Sequence, residues 1–157
     1  MEDPLEAVKS ANGRVQARAL ALTWSCPKDK EVNPIDLMGG KDNLLEKLKA
    51  QRFGNNQVEC VLVAREMHEN GKAHYHAYVK YTSRINVVNM RSWDFYDVHP
   101  NIKVVSDWRK WVRYVIKDGD IANDGVDIDA AQEMGKTEKS KAWADAMALV
   151  RVETNPN

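Results

Sequence analysis

Residues 58–81 read VECVLVAREMHENGKAHYHAYVKY. Val58 to Glu66 is rich in valine and leucine and has the length of a strand. His74 to Tyr81 is a second strand-like run, and the turn formers Asn70-Gly71 lie between the two. The stretch therefore reads as an antiparallel hairpin, and the length of its loop decides which side chains share a face. Directly opposed residues of such a pair have a constant sum of sequence numbers. A two-residue loop, Asn70-Gly71, sets Glu66 against Tyr75 and turns it away from His74 and His76. A three-residue loop over Glu69, Asn70 and Gly71, with Gly71 left-handed, sets Glu66 opposite His74 and diagonal to His76. His74 and His76, two apart, share a face in either case. Two imidazoles with one carboxylate suit a divalent metal such as manganese or magnesium, and that function demands the longer turn. On the plainer reading the histidines are surface strand residues and Glu66 is solvated. His68 and Glu69 read as turn residues, and Glu59 has the wrong parity to join Glu66.

Outward from the hairpin, Arg18 to Trp24 looks like a strand that stops before Pro27. Asn33-Pro34 and Gly39-Gly40 punctuate a loop, and Leu44, Leu45 and Leu48 mark one side of a short helix. Phe95 to Val98 and Ile102 to Val105 are weaker strand candidates. Trp108, Trp111, Val112 and Val115 recur at helical spacing behind a cap at Ser106 or Asp107, with Gly119 as terminator. Lys139 to Val152 reads as a last helix, with Trp143, Met147 and Val150 on one face. Residues 1–15 read as a tail, 16–120 as the domain, and 121–157 as an acidic loop and C-terminal helix. The expected architecture is α+β, a five-stranded antiparallel sheet flanked by helices.

The chain has 157 residues, 43% hydrophobic and 29% charged, which excludes disordered, collagen-like and low-complexity classes. Its longest apolar run is Val61 to Ala64, far short of a membrane span, and no secretion signal opens it. Cys26 and Cys60, far apart, suit a reducing compartment. Net charge is zero, yet residues 80–117 hold eight basic side chains against three acids, and 118–138 hold seven acids against one lysine. Within the basic block Tyr114 and Lys117, at i and i+3, are neighbours on a helix surface. A phenol becomes a nucleophile only where something favours its anion, and a neighbouring ammonium does so. The alternative is a half-buried tyrosine beside a snorkelling lysine.

In order along the chain, these passages resemble the replication initiators of circular single-stranded DNA viruses, of the geminivirus and circovirus kind. The run Ala21-Leu22-Thr23-Trp24-Ser25-Cys26-Pro27 is similar to their first motif, with Trp24 where a tyrosine is usual. Glu66 with His74-Tyr75-His76 resembles the His-hydrophobe-His metal motif, and Tyr114-Val115-Ile116-Lys117 the Tyr-x-x-Lys motif. The segment Asp97 to Ile102 is also similar. The resemblance spans about residues 18–120 and implies a recognition-motif-like fold. It implies a Mn2+ or Mg2+ ion on Glu66, His74 and His76, and a Tyr114 that nicks single-stranded DNA at a stem-loop origin, helped by Lys117. Self-association of the full-length initiator and action in the host nucleus are further expectations. The family usually continues into a helicase. Gly135-Lys136-Thr137 looks like the end of a phosphate loop, but its first glycine would fall at Ala130, so it reads as linker. The chain is thus expected to be the endonuclease domain of a longer initiator. Expected DNA contacts are Trp24, Lys103, Lys110 and Arg113, the last three from the basic block alone. The rivals are a non-catalytic single-strand-binding module and a metal hydrolase.

Overall fold

The structure is a computed structural model that describes residues 3–8 and 13–133. The expected helix over 139–152 and the Gly135-Lys136-Thr137 run lie outside the described residues. The hairpin is the longest feature: β4 (Asn56–Met67) turns into β5 (Ala73–Val87). Among the described residues, five further strands flank it. β1 (Leu5–Ala7), β2 (Val15–Trp24), and β3 (Arg52–Phe53) come before it, and β6 (Asn101–Val105) and β7 (Ile121–Asp124) after. All neighbours are antiparallel, in the order β1-β6-β2-β5-β4-β3, with β7 also on β4.

The sheet is larger than the expected five strands. Leu5–Ala7, read as tail, pairs with β6, and Ile121–Asp124, read as acidic loop, pairs with Val61–Ala64 of β4. These edges are two to four residues long, too short for alternation to register, and pairing with distant segments forms them. Phe95 to Val98 is a correction in the other direction. It closes on itself in one bridge, with Tyr96 at φ 54° and Asp97 at φ 65°, so it is a tight turn rather than a strand. Phe95 packs against Trp24 there and Val98 is buried.

Helices cover both faces. α1 (Pro34–Leu37) and α2 (Gly40–Lys49) lie on one side, where Ile35, Leu44, Leu45 and Leu48 meet Val61, Val63, Ala77 and Val79. α3 (Trp108–Val115) and α4 (Ile128–Gln132) lie on the other, where Trp111, Val112 and Val115 meet Leu62, Ala64 and Tyr78. Two covered faces explain why Val61 to Ala64 is a continuous apolar run instead of an alternating one. Asp107 caps α3, accepting from the Lys110 amide at 3.2 Å. The Trp111 indole donates to the Ala77 carbonyl at 3.1 Å and so pins the helix to β5. Among the described residues, no helix is long and apolar enough to cross a membrane.

The β4–β5 turn has three residues. Glu66 pairs with His74 and Met67 with Ala73. The His68 amide donates to the Lys72 carbonyl at 3.0 Å, and Gly71, at φ +80°, donates to the His68 carbonyl at 2.9 Å. Nothing lies within 4 Å of a Cβ built on Gly71, so any side chain there meets backbone strain alone. Gly71→Val should cost roughly 1–2 kcal/mol, and Gly71→Asn, which tolerates this conformation, distinctly less. Urea denaturation checks both; equal losses would exclude positive φ as the cause.

Candidate active site

Glu66 on β4 and His76 on β5 project from the α3 face of the sheet. Their side chains keep only 14% and 8% of their exposure. His76 Nε2 lies 3.5 Å from Glu66 Oε2, and His68 Nε2 lies 2.9 Å from Glu66 Oε1. Both imidazole nitrogens are buried and form no hydrogen bond, and the three donor atoms lie within 4.8 Å of one another. Ligands bonded to one ion at about 2.0–2.2 Å stand roughly 3 Å apart, so this donor set fits a divalent metal. His74, the other expected donor, stands beside the group. Its ring stacks on His68 at 3.5 Å between centroids, and its Nδ1 meets Ser25 Oγ at 3.2 Å. His68 was expected only as a turn residue. Its parity was readable, because two residues past Glu66 it falls on the same face.

β2 orients the histidines from the side opposite β4. Thr23 faces His76 in the β2–β5 register, with Thr23 Oγ1 3.0 Å from His76 Nδ1. Thr23 and Ser25, two apart, thus address the two imidazoles that are two apart. A hydroxyl accepting from Nδ1–H leaves Nε2 with its lone pair, the tautomer a metal ligand needs. Burial holds His76 below the usual histidine range, against the pull of Glu66, so the ring is neutral near pH 7. Burial pushes the Glu66 carboxyl up, but Lys117 and the imidazoles outweigh it and hold it below the usual range.

The other half of the site comes from the end of α3. Tyr114 stacks on Trp111 at 5.3 Å and meets the His76 ring edge-on at 5.5 Å. Past the helix the chain continues in a turn, with the Lys117 amide 3.3 Å from the Tyr114 carbonyl, so the i, i+3 neighbourhood survives. Lys117 Nζ lies 3.9 Å from the Tyr114 ring centroid and 2.9 Å from Glu66 Oε2. The Glu66 contact raises the lysine's pKa and keeps it an ammonium. Asp120, just before β7, holds this end in place: the Arg65 amide donates to its carbonyl at 3.0 Å, and Lys41 meets its carboxylate at 2.9 Å.

Tyr114 is 42% exposed, whereas the alternatives are enclosed. Tyr78 is 4% exposed beneath Trp108, and burial pushes its phenol up. Tyr75 is fully buried on the other face, its hydroxyl donating to Asp36. Trp24 is a correction among the expected DNA contacts. Its indole is fully buried and donates to the Trp93 carbonyl at 2.8 Å, because the side chain completes the α2-side core. Lys103 and Lys110 are half-buried, and Arg113 donates to the Ala131 carbonyl of α4 at 2.9 Å. Thr23→Val keeps the shape of the side chain and removes the oxygen. It should cost about 1 kcal/mol of stability and mix the His76 tautomers, as read by imidazole 15N shifts. Thr23→Ser should keep the wild-type tautomer.

Residues 14–128 match the family described as the Geminivirus Rep catalytic domain. A Replication-associated protein A of Bean yellow dwarf virus is 35% identical over 63 residues, 40% of this chain and 22% of that protein. The Replication-associated protein of Cabbage leaf curl virus (isolate Jamaica) is 29% identical over 91 residues, 54% of this chain and 26% of its own length. A Replication-associated protein A of Tobacco yellow dwarf virus (strain Australia) is 26% identical over 123 residues, covering 78% of this chain and 38% of that protein. The chain therefore spans between about a fifth and two fifths of these curated relatives. With its fold, and with a family match over most of its length, the chain belongs to the geminivirus Rep catalytic domain family.

Proposed function

We propose that this domain nicks and rejoins single-stranded DNA at a stem-loop origin, in the host nucleus, to initiate rolling-circle replication. Tyr114 is the nucleophile, and Glu66, His74 and His76 hold a divalent ion. One observation carries the reading: Lys117 bridges the Tyr114 ring and Glu66, which joins the tyrosine to the His–Glu cluster. The names of the matched replication-associated proteins support it.

Tyr114 Oη adds to the scissile phosphorus, and the bond from phosphorus to the 3′ oxygen breaks. The products are a 5′-phosphotyrosine and a free 3′ hydroxyl, to which the phenol's proton is finally accounted. Because one phosphodiester replaces another, a later 3′ hydroxyl can reverse the exchange and join strands. A bound manganese or magnesium ion supplies charge stabilisation to the phosphate. Trp111 holds the phenol's ring, and Lys117 places a fixed cation beside it, favouring the phenolate and orienting the phosphate.

Incubating the protein, manganese and single-stranded origin DNA, then running a denaturing gel, tests the reading. A covalent protein–DNA band is expected. Free fragments would instead indicate a hydrolase, and intact DNA a binding module. Tyr114→Phe should lose cleavage and adduct together while still binding DNA, since the ring is kept. An adduct that persists in this variant, or one mapped by mass spectrometry to Tyr78, would remove Tyr114 from the role.

Lys117→Ala should slow the reaction by roughly 10²-fold and leave the phenol in place. Part of the loss should be recovered as pH is raised, because hydroxide then does what the ammonium no longer does. A pH-independent loss would show that the lysine acts on the phosphate alone.

A further inference from the structure

We propose that His68 is a fourth protein donor to the divalent ion, and that it biases the site toward manganese over magnesium. The inference rests on the metal reading above and concerns a residue outside the expected Glu66, His74 and His76 set. His68 keeps 38% of its side-chain exposure, yet its Nε2 is buried and makes no hydrogen bond. One edge of the ring is turned inward. That edge meets Glu66 Oε1 at 2.9 Å, while His76 Nε2 approaches the other oxygen, Oε2, at 3.5 Å. Two imidazoles thus address the two oxygens of one carboxylate.

The ring is also held there. His68 closes the hairpin ladder, its amide donating to Lys72 and its carbonyl accepting from Gly71, so its backbone is that of a strand end. Its ring stacks on His74 with 16° between the planes, so one of the two rings turns when both aim a lone pair at a common ion. A buried ring nitrogen without a hydrogen bond costs about 1–3 kcal/mol, and a cation shared with Glu66 and His76 satisfies it. The donor set then becomes three imidazoles and one carboxylate. Magnesium prefers oxygen ligands and retained water, whereas manganese accepts imidazole readily.

The competing role for His68 is a flat spacer that positions His74. His68→Phe separates the two, because it keeps a ring to stack and removes the nitrogen. Mn2+ titration followed by the free-ion EPR signal should show wild-type binding weakened by at least about tenfold in both His68→Phe and His68→Ala. Magnesium affinity, measured by competition, should fall much less. Electron spin echo modulation of bound Mn2+ should report three coupled imidazoles in the wild type and two in His68→Phe. Two in the wild type, or unchanged Mn2+ affinity in His68→Phe, would overturn the fourth donor and leave the three-residue site standing. A wild-type protein that binds no Mn2+ would overturn both. Near-UV circular dichroism in EDTA confirms that each variant is folded.

Discussion

Three residues rather than two in the β4–β5 loop place Glu66 on the face of His74 and His76, and the site exists only in that register. The pairs Glu66–His74 and Met67–Ala73 follow from it. The register is held twice over. Locally, Gly71 supplies the left-handed residue that the longer turn requires. Globally, Leu62, Ala64 and Tyr78 are buried against α3, while Val61, Val63, Ala77 and Val79 are buried against α2. A slip of one residue would exchange these two sets and mispack both cores at once. The irregularity between Val58 and Cys60 lies at the far end of the hairpin, so the end that carries Glu66 and His74 keeps an undisturbed ladder.

Onto this ladder the structure brings a nearly buried carboxylate, which needs compensating charge. Lys117 supplies it, and the covalent distance from Lys117 to Tyr114 makes the compensation do a second job. An ammonium drawn to Glu66 draws the end of α3 with it, so the phenol arrives beside His76. Trp111 limits how that end can move, since its indole is committed to the Ala77 carbonyl one residue from His76. β7 closes the arrangement by tying the following turn back to β4. Charge pairing, aromatic packing and strand pairing thus converge on the same few ångströms.

Much of this was legible because long, periodic segments state their own geometry. The hairpin, the Leu44–Leu48 helix and the Trp108–Val115 helix carry enough repeats for faces to be assigned, and chemistry narrowed the cap to Ser106 or Asp107, of which the structure uses Asp107. The short edges were not legible. Leu5–Ala7 and Ile121–Asp124 become strands because β6 and β4 offer unpaired edges, a fact absent from either segment. Phe95 to Val98 has a strand's composition, but burying Val98 while packing Phe95 on Trp24 is met by a turn through Tyr96 and Asp97. Trp24 misled because motif likeness suggested an exposed aromatic, whereas a core on that side had room for an indole with its N–H satisfied. His68 was passed over for its nearness to the loop, although the parity rule that placed Glu66 places it equally.

Net charge zero says little about the field at such a site, because the acids are spent locally. Asp120 and Asp124 pair with Lys41 and Lys49 of α2. Glu59 pairs with Arg18 and Lys80, and Asp127 caps α4 by accepting from the Ala130 amide. The ion pairs fasten one element to another and the cap closes α4, so Asp120, Asp124 and Asp127 serve the structure. Screening removes what remains beyond about 8–10 Å at physiological salt. A phosphate placed at Tyr114, as the proposed chemistry requires, would meet chiefly what stands within that distance, Lys117 and the Glu66–His76 pair first. On the proposed function, that local balance, and not the sum over the chain, would govern how a polyanion meets a protein of no net charge.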